Sequence, residues 1–280
     1  MHTIRTRAGL DLFYRDWHRS GNGRPLLFVA GWAMPSESWS YQMMAASEAG
    51  YRAIAFDRRG HGRSSDPGGG YDVDTLADDL ADVLDTLDLR DAILVGHSMG
   101  CNEILRYLGR HGGARVAGAV LMGPMTPFLL RTADNPNGID AQVFEFVQRE
   151  QLMRDFPQWI DDNIGPFVLP ETPQGMKDWL RNIGLGTSLQ ALVECNRSLA
   201  RTDLRAELPH ITTPVLLIAG MADASAPFEL TARPTAALLP NATLKVYEGA
   251  SHGMFLTHMA EVNRDLLEFA GTIGHNRPHS

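Results

Sequence analysis

A mostly parallel β-sheet with helices packed on both faces is the architecture this chain should adopt. Short apolar runs alternate with amphipathic stretches along most of its length. One run, Ala92 to Val95, leads through Gly96-His97-Ser98-Met99-Gly100 into Ile104, Leu105 and Leu108 at helical spacing, which reads as strand, tight turn and helix. The alternation lapses after Pro124 and resumes near Arg205, so a helical insertion interrupts the sheet. The expected division is a sheet core over 1–123 and 206–280, and a helical cap over 124–205.

Taken in order, Thr3 to Arg7 and Leu10 to Trp17 flank Ala8-Gly9, a hairpin signal. Pro25 to Val29 is a buried strand that opens into the loop Ala30 to Ser36. A helix is expected over about Glu37 to Ala49, with Ser36 as its N-cap. Tyr51 to Phe56 is the next strand, and Asp57 to Gly70 a long turn-rich loop. A helix over about Val73 to Leu87 places Leu76, Leu80, Val83, Leu84 and Leu87 on one stripe. The serine-bearing strand and helix come next, followed by the strand Val116 to Met122.

In the insertion, helical patterns cover about Ala141 to Asp155, Gln174 to Ile183 and Leu189 to Arg201, punctuated by prolines. The segment is rich in Phe, Trp, Met and Leu. A cap of that kind, set over the strand ends, excludes water and shapes an apolar pocket. Pro214 to Gly220 and Thr243 to Tyr247 then read as strands, with a helix inside Ala224 to Leu239 and a terminal helix over Thr257 to Ala270. Gly271 to Ser280 is polar with a proline and should fray, and His275 and His279 there suggest no metal site.

Composition narrows the function. The formal net charge of -8, without a basic cluster, argues against nucleic acid. No apolar run is long enough to span a membrane, and the first eight residues lack the apolar core of a signal peptide, so a cytoplasmic protein is expected. Cys101 and Cys195 stand far apart, which suggests neither a disulfide framework nor zinc; Cys101 reads as a small buried filler. No metal or other cofactor is expected.

The Gly-x-Ser-x-Gly turn carries the chemistry. A serine on a sharp strand-to-helix turn needs neighbours without side chains two residues away, and its hydroxyl then projects above the sheet at the helix N-terminus. Serine is a poor nucleophile until a histidine base removes its proton, and that base needs an anion to fix its tautomer. The partners should follow in the order serine, acid, histidine, each at the carboxyl end of a strand. Asp223, after the strand ending at Gly220, and His252, after the last strand, meet that requirement. Taken alone, Asp223 reads equally well as a turn former. Of the ten histidines, His97 should pack beneath the turn, His61 is a distant second choice as base, and His258 should be exposed. The oxyanion of a tetrahedral intermediate needs two backbone donors, expected from Met99 and from Trp32.

Gly-His-Ser-Met-Gly, Asp-Arg-Arg-Gly-His-Gly-Arg-Ser and Leu-Lys-Val-Tyr-Glu-Gly-Ala-Ser-His-Gly resemble the α/β-hydrolase superfamily, and within it bacterial arylesterases and the non-haem haloperoxidases, or perhydrolases. The resemblance runs from Gly31 to Phe269. It implies an α/β-hydrolase fold with an eight-stranded, mostly parallel sheet, a Ser98-Asp223-His252 triad, an oxyanion hole from Trp32 and Met99, no metal or haem, and ester hydrolysis with peracid formation as a side reaction. Two places depart from the family pattern: Ala30 stands where a histidine usually precedes the Gly-Trp, and Cys101-Asn102 where two glycines usually follow the serine turn. The loop Asp57 to Ser64 is read as structural, its glycines and arginines holding that loop beside the oxyanion strand.

The expected function is a serine hydrolase cleaving small to medium apolar carboxylic esters through an acyl-enzyme. Acyl transfer, lactone opening and carbon–carbon bond hydrolysis use the same triad, and a ligand receptor without turnover is the remaining alternative. Met125, Phe128, Leu129, Phe144, Phe228 and Met254 are the expected pocket residues, and the apolar set suits an uncharged ester. The expected partner is a small-molecule ester; self-association is left open.

Overall fold

Eight strands form one sheet in the computed structural model, which describes residues 2–18 and 23–273. They are β1 (Thr3–Arg5), β2 (Asp11–Trp17), β3 (Pro25–Val29), β4 (Arg52–Phe56), β5 (Ala92–His97), β6 (Val116–Met122), β7 (Val215–Gly220) and β8 (Ala242–Tyr247). Their order across the sheet is β1-β2-β4-β3-β5-β6-β7-β8. The pairs β1–β2 and β2–β4 are antiparallel, and every pair from β4 to β8 is parallel. All the parallel strands therefore end on the same side, where loops gather residues distant in sequence. His275 and His279 lie outside the described residues.

The central strands are apolar on both sides because helices cover both sides. Leu27, Val29 and Leu94 point to one face, where they meet α2 (Val73–Thr86) and α3 (Met99–His111). Leu26, Phe28, Ile93 and Val95 point to the other, among residues of α1 (Ser40–Glu48) and α10 (Met259–Thr272). Alternate residues of one strand thus serve two cores, each buried aliphatic side chain contributing about 1.5–3 kcal/mol. All six residues of β5 are buried, so the strand that carries the serine turn has little freedom to shift.

Three helix boundaries differ from expectation, each for a local reason. Ser36 is the first residue of a 3-10 turn (Ser36–Trp39) that precedes α1, and it caps nothing: its amide donates to Asp57 Oδ1 at 2.7 Å and its hydroxyl accepts from Arg15. The insertion contains α4 (Ala141–Phe146), a π-helical segment (Val147–Leu152), α5 (Met153–Phe167), α6 (Gln174–Gly184) and α7 (Leu189–Arg201). The first of these patterns ends near Asp155 as expected, but a second helix, which was not expected, starts at once. The backbone breaks there (φ -157°, ψ 81°), Asp155 Oδ1 accepts from the amide of Gln158 at 3.0 Å, and helix resumes with Pro157 in its first turn, where a missing N–H does no harm. At the C-terminus, α8 (Ala232–Leu238) and the short α9 (Met254–Thr257) precede α10, which stays helical through Gly271 and Thr272, where fraying was expected.

Candidate active site

Ser98 sits between β5 and α3 with φ 53° and ψ -119°, a backbone conformation that L-residues avoid at a cost of about 1–3 kcal/mol. Its glycine neighbours make the conformation attainable. A Cβ on Gly96 would lie 2.7 Å from Ile104 Cδ1, and one on Gly100 would lie 2.3 Å from the carbonyl oxygen of Val29. Strand, turn and helix touch where those side chains are missing.

His252, in the loop after β8, directs Nε2 to Ser98 Oγ at 2.9 Å and Nδ1 to Asp223 Oδ2 at 2.7 Å. Asp223, in the loop after β7, also accepts the amides of Ser225 (2.9 Å) and Ala226 (2.8 Å) on Oδ1. A carboxylate can only accept, so Nδ1 of His252 carries a hydrogen and its Nε2 lone pair faces the serine hydroxyl. Ser98, Asp223 and His252 are all buried, which strengthens these contacts by keeping water away. Gly123 (φ 51°) closes the far side: a Cβ there would stand 3.1 Å from both Asp223 Oδ2 and His252 Nδ1.

His97 packs beneath the turn among Trp39, Phe167, Phe255 and His252. Its Nε2 meets the backbone carbonyl of His252 at 2.9 Å, and a carbonyl only accepts, so His97 is the Nε2–H tautomer. Burial, with His252 alongside, holds its pKa well below the ordinary histidine range, so the ring is neutral. Phe167, at the end of α5, lies edge-on to His252 at 5.6 Å, and its carbonyl accepts the amide of Gly253 and the hydroxyl of Ser251. His61 is engaged elsewhere: it is buried, its Nδ1 is on the carbonyl of Arg59, and burial beside Arg58 lowers its pKa to about 3. His258 is half-buried against Tyr247 instead of exposed.

Met99 is the first residue of α3, so its N–H has no intrahelical acceptor and lies next to Ser98. Gly31 is pressed against the other side of the turn; a Cβ on it would lie 2.7 Å from His97 Nδ1 and 3.3 Å from Ser98 Cβ. Trp32 follows, and Ala33 beyond it is strained at φ 62°. The Trp32 indole leaves the loop for the insertion: Nε1 donates to the carbonyl of Leu192 on α7 at 2.9 Å, and the ring meets Trp159 of α5 at 5.0 Å, edge to face.

Met125, Leu129 and Phe144 join Met99 and Trp32 in one apolar cluster beside the turn. Phe128, Phe228 and Met254 are not part of that cluster. Phe128 lies under the Arg205 guanidinium at 4.8 Å, Phe228 lies under Arg233 at 4.9 Å, and Met254 is buried in the opposite sheet-face core with Trp39 and Phe255. Trp159, Phe156, Ile160, Leu192 and Val193, which surround Trp32 from the insertion, were not expected there. Cys101 and Cys195 are free, buried thiols; burial pushes both pKa values up, that of Cys195 to about 12. Among the described residues no group of three His, Cys, Asp or Glu side chains is placed to hold a metal ion, and no helix is long and apolar enough to cross a membrane.

The sequence profile described as the alpha/beta hydrolase family matches residues 26–265. The chain is 41% identical over 270 residues to the non-heme chloroperoxidase CPO-A1 of Kitasatospora aureofaciens, spanning 94% of this chain and 97% of that one. It is 36% identical over 278 residues to the bifunctional esterase/perhydrolase DCH of Acinetobacter calcoaceticus, spanning 96% and 99%. Among solved structures, the bromoperoxidase of Bacillus anthracis superposes with a TM-score of 0.90 at 32% identity, covering 96% of this chain and all of that one. An esterase of Exiguobacterium antarcticum gives a TM-score of 0.90 at 30% identity, covering 95% and 98%.

Proposed function

The chain belongs to the alpha/beta hydrolase family, and we propose that it is a serine hydrolase that cleaves small to medium apolar carboxylic esters through an acyl-enzyme on Ser98. The observation that carries this reading is the continuous hydrogen-bonded line from Asp223 through His252 to Ser98. As Ser98 Oγ attacks the ester carbonyl, its proton passes to His252 Nε2, and Asp223 steadies the imidazolium. The amides of Met99 and Trp32 donate to the oxyanion, which exists only once the carbonyl has become tetrahedral. His252 returns the proton to the departing alkoxide. Water then attacks the acyl-enzyme by the same route and releases the carboxylic acid. The apolar cluster of Met125, Leu129, Phe144 and Trp32 supports an uncharged substrate.

The names of the relatives support a second outcome for the same intermediate. Hydrogen peroxide in place of water would attack the acyl carbonyl, give its proton to His252, and leave as the peracid when Ser98 Oγ departs and recovers that proton.

The test is saturable hydrolysis of p-nitrophenyl acetate and butyrate, with an organophosphonate adding its mass to Ser98. Ser98→Ala should lose both. A Ser98→Ala protein with undiminished turnover overturns the reading, and stoichiometric binding with no burst of phenol points to a receptor. Peracid formed from acetate and peroxide separates the two fates of the acyl group.

A further inference from the structure

Arg58 lies in the loop after β4, remote from Ser98 in sequence, and is 3% exposed. Each of its five N–H bonds has an acceptor nearby. Nε donates to Glu103 Oε1 at 2.7 Å, and Nη2 also lies against that oxygen. Nη2 donates to the carbonyl of Ala30 at 2.6 Å, and Nη1 to the carbonyl of Gly31 at 3.2 Å. The remaining Nη1 hydrogen faces His61 Nε2 at 3.5 Å, which is free to accept because Nδ1 donates to Arg59. Glu103, fully buried, belongs to α3, the helix that begins at Met99.

We propose that Arg58 is a positioning residue for the oxyanion hole: anchored on the nucleophile's helix through Glu103, its guanidinium holds the Ala30 and Gly31 carbonyls and so aims the Trp32 N–H. The proposal rests on the reading of Ser98 as nucleophile with Met99 and Trp32 as donors. The reasoning is geometric. In a trans peptide the C=O and N–H point in opposite directions. Holding the Gly31 oxygen on Arg58 therefore turns the Trp32 hydrogen away from Arg58, out of the other edge of the same plane.

That peptide needs a clamp. Gly31 must lack a side chain because Ser98 and His97 crowd it, and a glycine peptide rotates with little hindrance. Among the described residues the Gly31 oxygen receives only one other backbone donor, Met34 N–H at a long 3.3 Å. Ala33, with φ 62°, adds strain that favours other loop conformations. A planar guanidinium resists this better than an ammonium, because its donors are fixed relative to one another. Glu103 gives the clamp its reference: the two donors, one at the start of α3 and one in the loop, are registered to each other through a single side chain.

Two variants test this. Arg58→Lys keeps a cation beside Glu103 but cannot hold both carbonyls at the guanidinium spacing. Arg58→Met/Glu103→Leu removes the pair together, so no lone charge is buried, and keeps most of the volume. Rates with p-nitrophenyl acetate are expressed per serine titrated to completion with an organophosphonate, so loss of folded protein does not count. Both variants should lose kcat by about 10²-fold with KM changed by no more than about threefold, and should bind phenylboronic acid, which forms a tetrahedral adduct on the serine, more weakly in proportion to kcat/KM. A merely structural arginine would lower the melting temperature and the titratable fraction while leaving kcat per site within about threefold of the parent, and that result overturns the proposal. If the parent protein itself shows no turnover and no phosphonylation, the nucleophile reading has failed. Arg58 is then judged from a crystal structure of the double variant, where a rotated Gly31–Trp32 peptide supports the clamp and an unmoved one refutes it.

Discussion

Replacing Gly100 with alanine tests the mechanical link between the serine turn and the loop after β3. The new Cβ would lie 2.3 Å from the Val29 oxygen, 2.9 Å from the Val29 carbonyl carbon and 2.9 Å from the Ala30 oxygen. An ordinary contact begins near 3.4 Å, so the chain around Val29 and Ala30 has to retreat by about 1 Å. It cannot do so freely. Val29 is paired with Gly96 at the end of β3, and the Ala30 oxygen is held by Arg58 at 2.6 Å. The strain should cost about 1–3 kcal/mol, as overpacking of a dense site does. At about 2–4 °C per kcal/mol for a chain of roughly this size, the melting temperature falls by about 2–12 °C. A displacement of about 1 Å in the loop that carries the Trp32 N–H should lower kcat by about 10²-fold. The assay is p-nitrophenyl acetate hydrolysis per titrated serine, with thermal unfolding followed on the same samples. Gly69→Ala is the control, since a Cβ there meets nothing within 4 Å. Gly100→Ala with parental melting temperature and with kcat within about threefold would refute the reasoning.

Three further substitutions follow from the same geometry. Asp223→Asn must set an amide NH₂ either against His252 Nδ1–H or against the amides of Ser225 and Ala226, so kcat should fall by about 10³–10⁴-fold with folding retained; activity near the parent's would rule out the role given to Asp223. His97 is held neutral, with a folded pKa below its unfolded value, so the unfolded chain binds the extra proton. Its contribution to stability is complete above about pH 6.5 and is lost as pH falls, at up to about 1.4 kcal/mol per pH unit. His97→Phe should flatten the dependence of unfolding free energy on pH by close to one proton between about pH 6 and 5, and an unchanged slope would contradict the burial argument. Trp32→Phe keeps the backbone N–H and loses the indole bond to Leu192, so KM for p-nitrophenyl butyrate should rise by about 3–10-fold with kcat held within about threefold; a collapse of kcat alone would show that the side chain, not the peptide, matters to the chemistry.

What could be read from the sequence was whatever the backbone dictates. Apolar alternation placed the strands, and the glycines around Ser98 placed the turn, because steric exclusion at Gly96 and Gly100 leaves no other residue room. Asp223 and His252 could be named because parallel strands bring their carboxyl ends to one edge, so order along the chain becomes proximity in space. The pocket was harder. Phe128 and Leu129 are adjacent in an irregular stretch, and no period tells which one faces the turn; Leu129 does, while Phe128 meets Arg205, a partner 77 positions away. Met254 follows the histidine loop so closely that it invited a pocket role, yet the short α9 turns it into the sheet core. Trp159 and Leu192 gave no signal, since what marks them is contact with Trp32 across the fold. The prolines of the insertion read only as punctuation, and it is the cap formed by Asp155 that places Pro157 in the first turn of a helix.

The bond from the Trp32 indole to Leu192 sets a rule for anyone grafting a different lid onto this scaffold. The acceptor is a main-chain oxygen, so its chemistry is indifferent to which residues the new segment contains. Its bearing is not: deleting one residue upstream within α7 would swing the carbonyl by about 100° around the helix axis. The half-buried indole would then lack a partner, at about 1–3 kcal/mol. Register, more than composition, decides whether a transplanted segment will dock.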